Sequence, residues 1–367
     1  MRILLLSAYA AQSHRYWQRA LQLMFPHWQW VELELPPRHF SWRVRGNALF
    51  WSVAERQVLE SDFQLLIATS MVDLATLRGL VPALATVPSL LYFHENQFDF
   101  PQDRQQHGLL EAQMVSLYSA MAADSLAFNS AHNRDSFFSG CRQLLGRLPD
   151  YVPAGVVDAL EDKAVVLPVP LLRDIAEAGD AWPQRDQPRT LRILWSARFE
   201  HDKGGEGLYR ILQRLELLSL DYQLAVTGQQ FRNSPDVFAR IEQEFRHRLV
   251  QFGYVESPTV YQALQSGADI ILSTALHEFQ GLAVMQAVSA SCVPVVPDRL
   301  AYRELYPESC RYQSCPDDPD REAASAVALI LQQAEQAAIP PDLSAYGIKS
   351  LQPQYQQLLE GLQDSQL

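Results

Sequence analysis

The sequence predicts an α/β fold of two doubly wound domains, on three observations. Short apolar runs recur along the chain, separated by longer amphipathic stretches with helical spacing. The runs are continuous rather than alternating, as expected of parallel strands covered on both faces. At 367 residues the chain is too long for one ordinary domain and suits two of roughly 100–200 residues each.

In chain order, the first strands are RILLLSA (2–8), FQLLIAT (63–69), SLLYFHE (89–95), SLAFNS (125–130) and AVVLPV (164–169). A second set follows: LRILWSA (191–197), YQLAVTG (222–228), VQFGYV (250–255), ADIILST (268–274) and CVPVVP (292–297). Helical patterns between them make repeated βαβ units, hence parallel sheets. The polar stretch DIAEAGDAWPQRDQPRT (174–190) holds two Pro, breaks the rhythm and reads as a linker. The expected division is therefore an N-terminal domain over 1–173, a linker over 174–190 and a C-terminal domain over 191–345. The segment 346–367 contains the amphipathic LQPQYQQLLEGLQ with no strand after it, and is expected to pack back on the first domain. Two Rossmann-like domains facing a cleft would hold ligands at the C-terminal ends of their strands.

Composition removes several classes. A hydrophobic content of 48% with 20% charged residues supports two packed cores and argues against global disorder. Cys141, Cys292, Cys310 and Cys315 form no CxxC pair and have no close His partner, so buried free thiols are expected rather than a zinc site or disulfides. MRILLLSAY is too short an apolar run for a signal peptide, and no segment approaches the ~20 apolar residues of a membrane span. The expectation is a soluble, cytoplasmic protein with no membrane partner. There is no GxGxxG after the first strand, so a nicotinamide dehydrogenase is poorly supported. The net charge of −12 argues against unspecific nucleic-acid binding over the whole surface. Residues 1–50 nevertheless hold six Arg, two Glu and four of the seven Trp. Such a basic, aromatic end suits an RNA contact; core Trp and solvated Arg explain it equally well.

The second domain carries the strongest chemical signal. Strand RILWSA runs into RFEHDKGGE (198–206), which places Arg198 and Lys203 just past a strand end with two glycines behind them. A departing diphosphate needs positive charge and close backbone at such a place, although a charged loop with a glycine turn has the same composition. Gly228, in TGQ, adds a glycine at the next strand end. STALHEFQGLAVMQAV (273–288) then passes from strand to helix near Gly281. The N–H groups of Phe279, Gln280, Gly281 and Leu282 would face phosphate oxygens at that helix start. Glu278 suits sugar hydroxyls, or alone an N-terminal cap; with Arg198 and Lys203 at strand ends of the same sheet, the ligand-binding reading is the better one.

The order RFEHDKGG, TGQ, HEFQGLAVMQA resembles the nucleotide-sugar domain of retaining GT-B glycosyltransferases. The first half carries SAYAAQSHRYW, LPPRHFSWRVRGNALFW, ATSMVDLATLRGL, LYFHENQFDFP and LAFNSAHNRDSF. With these the chain is similar, over nearly all its length, to the tRNA-queuosine mannosyltransferase group. The resemblance implies a GT-B fold and transfer of mannose from GDP-mannose to a cyclopentenediol hydroxyl of queuosine in a tRNA anticodon, without metal. It implies Glu278 as sugar ligand, Arg198 and Lys203 as diphosphate ligands and Gln286 as ribose contact. Gln286 stands where the family pattern has a second glutamate. One amide oxygen still accepts from one hydroxyl, at a loss of roughly 1–2 kcal/mol of nucleotide affinity. The loop AAQSH also departs, lacking the family's glycines.

In the first domain, His94 at a strand end is a candidate for the donor sugar and reacting centre, or a core His bonded to backbone. Glu95, Asn96 and Gln97 follow it; the last two suit hydroxyl recognition or loop packing. Ser13 and His14 begin the helix after the first strand, with Ser13 equally an N-cap. Asn129, at another strand end, lines the cleft or belongs to a helix cap. Arg38, Trp42, Arg43 and Arg45 in RHFSWRVR combine phosphate contacts with a stacking platform, or form a packed loop with solvated Arg. Three other functions remain open at this point. One is a glycosyltransferase with a lipid, small-molecule or polysaccharide acceptor. The second is a tRNA- or nucleotide-sugar-binding protein weakened in catalysis by Gln286. The third is a GT-B-like epimerase.

Overall fold

The computed structural model describes residues 1–99, 108–172, 181–185, 187 and 190–364. The chain forms two compact units, Met1–Leu172 with Ala345–Leu367, and Arg173–Ser344.

The first unit holds β1 (Arg2–Ser7), β2 (Gln29–Glu34), β3 (Leu65–Thr69), β4 (Ser89–Phe93), β5 (Ser125–Phe128) and β6 (Ala164–Val166). They form one parallel sheet in the order β2-β1-β3-β4-β5-β6. The inner strands are buried along nearly all their length, which is why their sequences are mostly apolar. β2, QWVELE, is absent from the strands expected from sequence. It is an edge strand with half-exposed and exposed positions throughout, so it lacks a continuous apolar run. The core on one face joins Leu4, Leu66, Phe93, Phe128 and Phe137.

The last helix, Ile348–Asp364, belongs to this first unit. It buries Leu351, Tyr355 and Leu359, spaced one helical turn apart. Gln352 Nε2 donates to Met24 O at 2.8 Å, and Trp17 Nε1 donates to Tyr355 Oη at 2.9 Å. A parallel bridge pairs Leu171 with Gly347 just before the helix.

The second unit holds β7 (Leu191–Ser196), β8 (Tyr222–Thr227), β9 (Leu249–Gly253), β10 (Ile270–Leu272), β11 (Val293–Pro297) and β12 (Arg311–Tyr312). Its sheet is parallel, in the order β12-β11-β10-β7-β8-β9. β12, two residues long at the edge, also lies outside the strands expected from sequence. Of the stretch 174–190, residues 174–180, 186, 188 and 189 lie outside the described residues. The rest is anchored on the second unit. Trp182 is buried and donates to Leu264 O at 2.9 Å, and Arg185 grips Asp269 through two 2.8 Å bonds. A buried Trp and a fork-like ion pair fix a stretch whose composition reads as free linker.

Among the described residues, no helix is long and apolar enough to cross a membrane. The four cysteines are free, with Cys141, Cys292 and Cys310 buried and Cys315 half-buried.

Candidate active site

In the second sheet, β7 and β10 are neighbours whose onward connections run to opposite sides of the sheet. Their carboxyl ends make the crevice where doubly wound sheets bind ligands. Both candidate segments of this unit leave the sheet there. The segment after β7 carries Arg198 and Lys203; the segment after β10 carries Glu278 and leads into the helix Leu282–Ser289.

Backbone bonds lock the two segments together. The N–H groups of Leu276 and His277 donate to Asp202 O at 2.8 and 3.1 Å. Thr274 Oγ1 donates to Lys203 O at 2.9 Å and accepts from Trp195 Nε1 at 3.0 Å. Gly204 takes a φ of +71°, and a Cβ there would lie 1.9 Å from Thr274 O. Only glycine permits both the left-handed turn and this approach. A Cβ at Gly228 would lie 1.7 Å from Ala197 O, so that glycine is required by packing between the exits of β7 and β8.

Lys203 is nearly buried, its side chain 10% exposed. Its ammonium has three protein partners: Asp202 Oδ2 at 3.1 Å, His277 O at 3.0 Å and Glu278 Oε2 at 3.2 Å. Burial alone would lower its pKa; Glu278 and Asp202 reverse this and hold it above the ordinary lysine value. The effect on Glu278 is reciprocal. Burial pushes its carboxyl up, but the Lys203 ammonium and the Gly281 N–H overcome this and keep it below the ordinary range. Glu278 Oε1 also accepts from Phe279 N at 3.1 Å. Two of the four N–H groups expected to face a phosphate, those of Phe279 and Gly281, thus bond Glu278 itself. Glu278 remains 25% exposed at the crevice.

Arg198 is 43% exposed and pairs with Glu200 at 3.1 Å. A small cavity opens here, walled by Ser196, Lys203, Ser273, Glu278, Gly281 and Tyr302. Phe279 and Gln280 are buried, with Gln280 Nε2 against Met285 Sδ at 3.5 Å. Leu282 is half-buried as the first residue of the helix. Gln286, on the same helix, is half-exposed and makes no side-chain hydrogen bond among the described residues. The sequence reading missed Asp202 and Tyr302. Asp202 is signalled only by its place beside Lys203; Tyr302, whose hydroxyl lies 2.8 Å from Ser273 Oγ, has no local signal.

In the first unit a second group gathers at the ends of β1, β4 and β5. His94 follows β4 in a box of rings. His14 stacks on it at 4.2 Å, Trp17 meets it edge-on at 4.9 Å, and Tyr92 lies at 4.7 Å. His94 Nε2 is buried and has no hydrogen-bond partner among the described residues. Burial, then the neighbouring His14, hold its pKa well below the ordinary histidine value, so the imidazole is neutral near pH 7. Ser7 Oγ lies 3.5 Å from His14 Nδ1.

Amides fix the backbone around His94. Asn129 Nδ2 donates to His94 O at 2.9 Å, and Asn133 Nδ2 donates to Phe93 O at 3.0 Å and Asn129 Oδ1 at 2.8 Å. Asn96 Nδ2 faces Asn133 Oδ1 at 2.8 Å and Ser136 Oγ at 2.9 Å, while its Oδ1 accepts from Phe98 N and Asp99 N. The Asn96 amide thus bonds groups within the fold, as the loop-packing alternative has it. Ser130 caps the next helix through Asn133 N at 3.0 Å. Gln97 is buried against Met71 Sδ, and half-buried Glu95 accepts Ser70 Oγ on its carbonyl. Ser13 is exposed inside the helix Gln12–Met24, whose N-cap is Ala11, so it does not cap.

The basic segment starts the helix Phe40–Ala54. Its Phe40 ring meets Tyr9, just past β1, at 6.2 Å. Trp42 is 56% exposed and lies over Gly46, where a Cβ would come within 2.5 Å of the indole. Arg38 is exposed; Arg43 Nε donates to Pro36 O at 3.3 Å; Arg45 pairs with Asp73 at 3.1 Å while half its side chain stays exposed. Among the described residues, no cluster of three or more His, Cys, Asp or Glu is placed to hold a metal ion.

The chain is similar in sequence and in fold to known proteins. Residues 2–171 match the family described as tRNA-queuosine alpha-mannosyltransferase N-terminal. A Drosophila melanogaster protein named tRNA-queuosine alpha-mannosyltransferase is 30% identical over 320 residues, which cover 85% of this chain and 83% of that protein. The fold matches the sucrose-phosphate synthase of Thermosynechococcus elongatus, with a TM-score of 0.67 at 15% identity over 100% of this chain and 97% of the other. It also matches Anabaena HepE in complex with UDP and glucose, with a TM-score of 0.67 at 12% identity over 98% and 100% of the two chains. With two parallel six-stranded sheets of the GT-B type and a sequence relative aligned along most of both chains, this protein belongs to the tRNA-queuosine alpha-mannosyltransferase family of glycosyltransferases.

Proposed function

We propose that this protein transfers mannose from GDP-mannose to a cyclopentenediol hydroxyl of queuosine in a tRNA anticodon, with retention at the anomeric carbon. The observation that carries the donor half is the Asp202–Lys203–Glu278 group at the β7/β10 crevice, with exposed Arg198 beside it. A lysine flanked by two carboxylates holds Glu278 ionised and oriented, ready to accept hydrogen bonds from sugar hydroxyls. Arg198, 43% exposed, exchanges Glu200 for diphosphate oxygens, and Lys203 stabilises the same charge at short range. Gln286 gives the ribose one acceptor and leaves the donor clamp competent.

In the reaction the bond from the sugar's anomeric carbon to the diphosphate breaks, and a bond to the acceptor oxygen forms on the same face. The acceptor proton leaves on the departing diphosphate oxygen, so no dedicated side-chain base is needed. Charge on the leaving group is met by Arg198 and Lys203, without a metal. Neutral His94, whose Nε2 has no hydrogen-bond partner among the described residues, contacts the donor sugar near the reacting centre. Arg38, Trp42 and Arg45 meet the tRNA through phosphates and a stacked base.

The test uses queuosine-bearing tRNA with GDP-mannose, UDP-glucose or UDP-galactose, followed by digestion and weighing of the nucleosides. One hexose added to queuosine from GDP-mannose alone is the expected result. Hexose from a uridine donor would overturn the donor; nucleotide release with unmodified tRNA would overturn the acceptor.

A further inference from the structure

The last helix reaches the His94 box through one buried hydroxyl. Tyr355 is fully buried and 338 positions from Trp17, yet its Oη accepts Trp17 Nε1–H at 2.9 Å. The same Oη lies 3.0 Å from Pro168 O and 3.3 Å from Tyr92 Oη. Tyr92 Oη in turn donates to Leu167 O at 2.7 Å. Trp17 and Tyr92 are stacked at 4.1 Å, and both rings bear on the His94 imidazole.

Packing alone leaves an indole and a phenol free to slide in their planes; a hydrogen bond at each ring's polar atom removes that freedom. Without the Tyr355 hydroxyl, Trp17 Nε1–H would be a buried donor with no acceptor. The ring would then shift toward another partner, and the nearest surface it forms is the wall of the His94 box. His94 Nε2 has no partner of its own among the described residues, so the box alone sets where that nitrogen points.

We propose that Tyr355 is a positioning residue for His94, acting through Trp17 and Tyr92 from the helix that follows the second unit in sequence. The inference rests on the reading that His94 contacts the donor sugar. It goes beyond that reading in making a residue of the last helix set the geometry of the imidazole.

The test compares Tyr355→Phe with Leu359→Ala in the full chain. Leu359 is fully buried on the same helix and outside the hydroxyl network, so its truncation weakens packing alone. Two readouts are taken below the unfolding temperature of each variant: kcat and donor KM for transfer, and the His94 imidazole resonances of the ligand-free protein across a pH titration. Tyr355→Phe is expected to lower kcat by about tenfold, the scale of one lost hydrogen bond, with donor KM little changed. It should also shift the His94 resonances and let the ring titrate nearer to the ordinary value. Leu359→Ala should leave both readouts as in the wild type. If Tyr355→Phe fails to fold, Tyr92→Phe keeps that ring as a wall of the box, removes its hydroxyl contact with Tyr355 and is expected to shift the His94 resonances in the same sense. Unmoved His94 resonances in Tyr355→Phe, or equal shifts in Leu359→Ala, would overturn the proposal. Shifted resonances with unchanged kcat would support the positioning and overturn the contact assigned to His94.

Discussion

Replacing Lys203 with Met would show what holds Glu278 in place. The side chain keeps its length and apolar stem but loses the ammonium. Three contacts vanish together, at 3.1 Å to Asp202, 3.2 Å to Glu278 and 3.0 Å to the His277 carbonyl. Two carboxylates, 10% and 25% exposed, are left side by side. Removing one partner of a buried ion pair destabilises by about 3–5 kcal/mol; the partial exposure of Glu278 favours the lower end, about 3 kcal/mol. The pH dependence has a definite sign. In the wild type the Glu278 carboxyl lies below its ordinary pKa, so its stabilisation is present at neutral pH and is lost as pH falls through the folded value. In the variant only burial and the neighbouring carboxylate act on it, which raises its pKa, so the native state takes up protons before the unfolded one does. The stability gap between the two proteins must therefore narrow on going from about pH 7.5 to about pH 5. Urea unfolding of the second unit at both pH values measures the gap. Adding Glu278→Gln to Lys203→Met should recover about 1–2 kcal/mol, since the two changes share one interaction. A loss below about 1 kcal/mol, or an equal loss at both pH values, would refute the argument that Lys203 orients Glu278.

Three further outcomes follow from the same geometry. Gln286→Glu should tighten GDP binding by about tenfold in calorimetry, by exchanging a neutral for a charged acceptor; unchanged affinity would remove Gln286 from the ribose. Trp42→Ala should weaken tRNA binding by about tenfold, the scale of one lost stacked base, with GDP affinity unchanged; equal tRNA affinity would leave the indole a surface residue over Gly46. His94 is held neutral by burial, so its folded pKa lies below the ordinary 6.5. Its contribution to stability is complete above that value and declines as pH falls below it. His94→Gln should flatten the decline in thermal unfolding temperature between neutral and mildly acid pH, and an unaltered profile would contradict a buried neutral imidazole.

Much of the fold is legible in the sequence because parallel strands covered on both faces read as near-continuous apolar runs. LLIAT, SLLYF and YQLAVT are buried throughout and read as strands directly. QWVELE escapes that signal because it is an edge strand with no fully buried position. In the stretch 174–190, whose polar composition reads as linker, the described residues include a Trp and an Arg that bond Leu264 and Asp269, which composition does not show. At the site, sequence places Arg198, Lys203 and Glu278 at strand ends, but not that Lys203 has three protein partners or that Glu278 bonds the N–H groups beside it. Asn96 and Asn129 read equally as ligand-binding amides or as packing and capping groups, and only the structure shows Asn96 on Asn133 and Asn129 on the His94 carbonyl. The Trp17–Tyr355 bond spans 338 positions and leaves no local pattern to read.

The proposed transfer of mannose to queuosine runs through the crevice that holds Glu278. Its most direct test is one mass measurement on nucleosides from queuosine-bearing tRNA, incubated with GDP-mannose and either the wild type or Glu278→Gln. One added hexose on queuosine is expected with the wild type, and unmodified queuosine with the variant. Equal hexose addition by both proteins, or hexose on any other nucleoside, would contradict it.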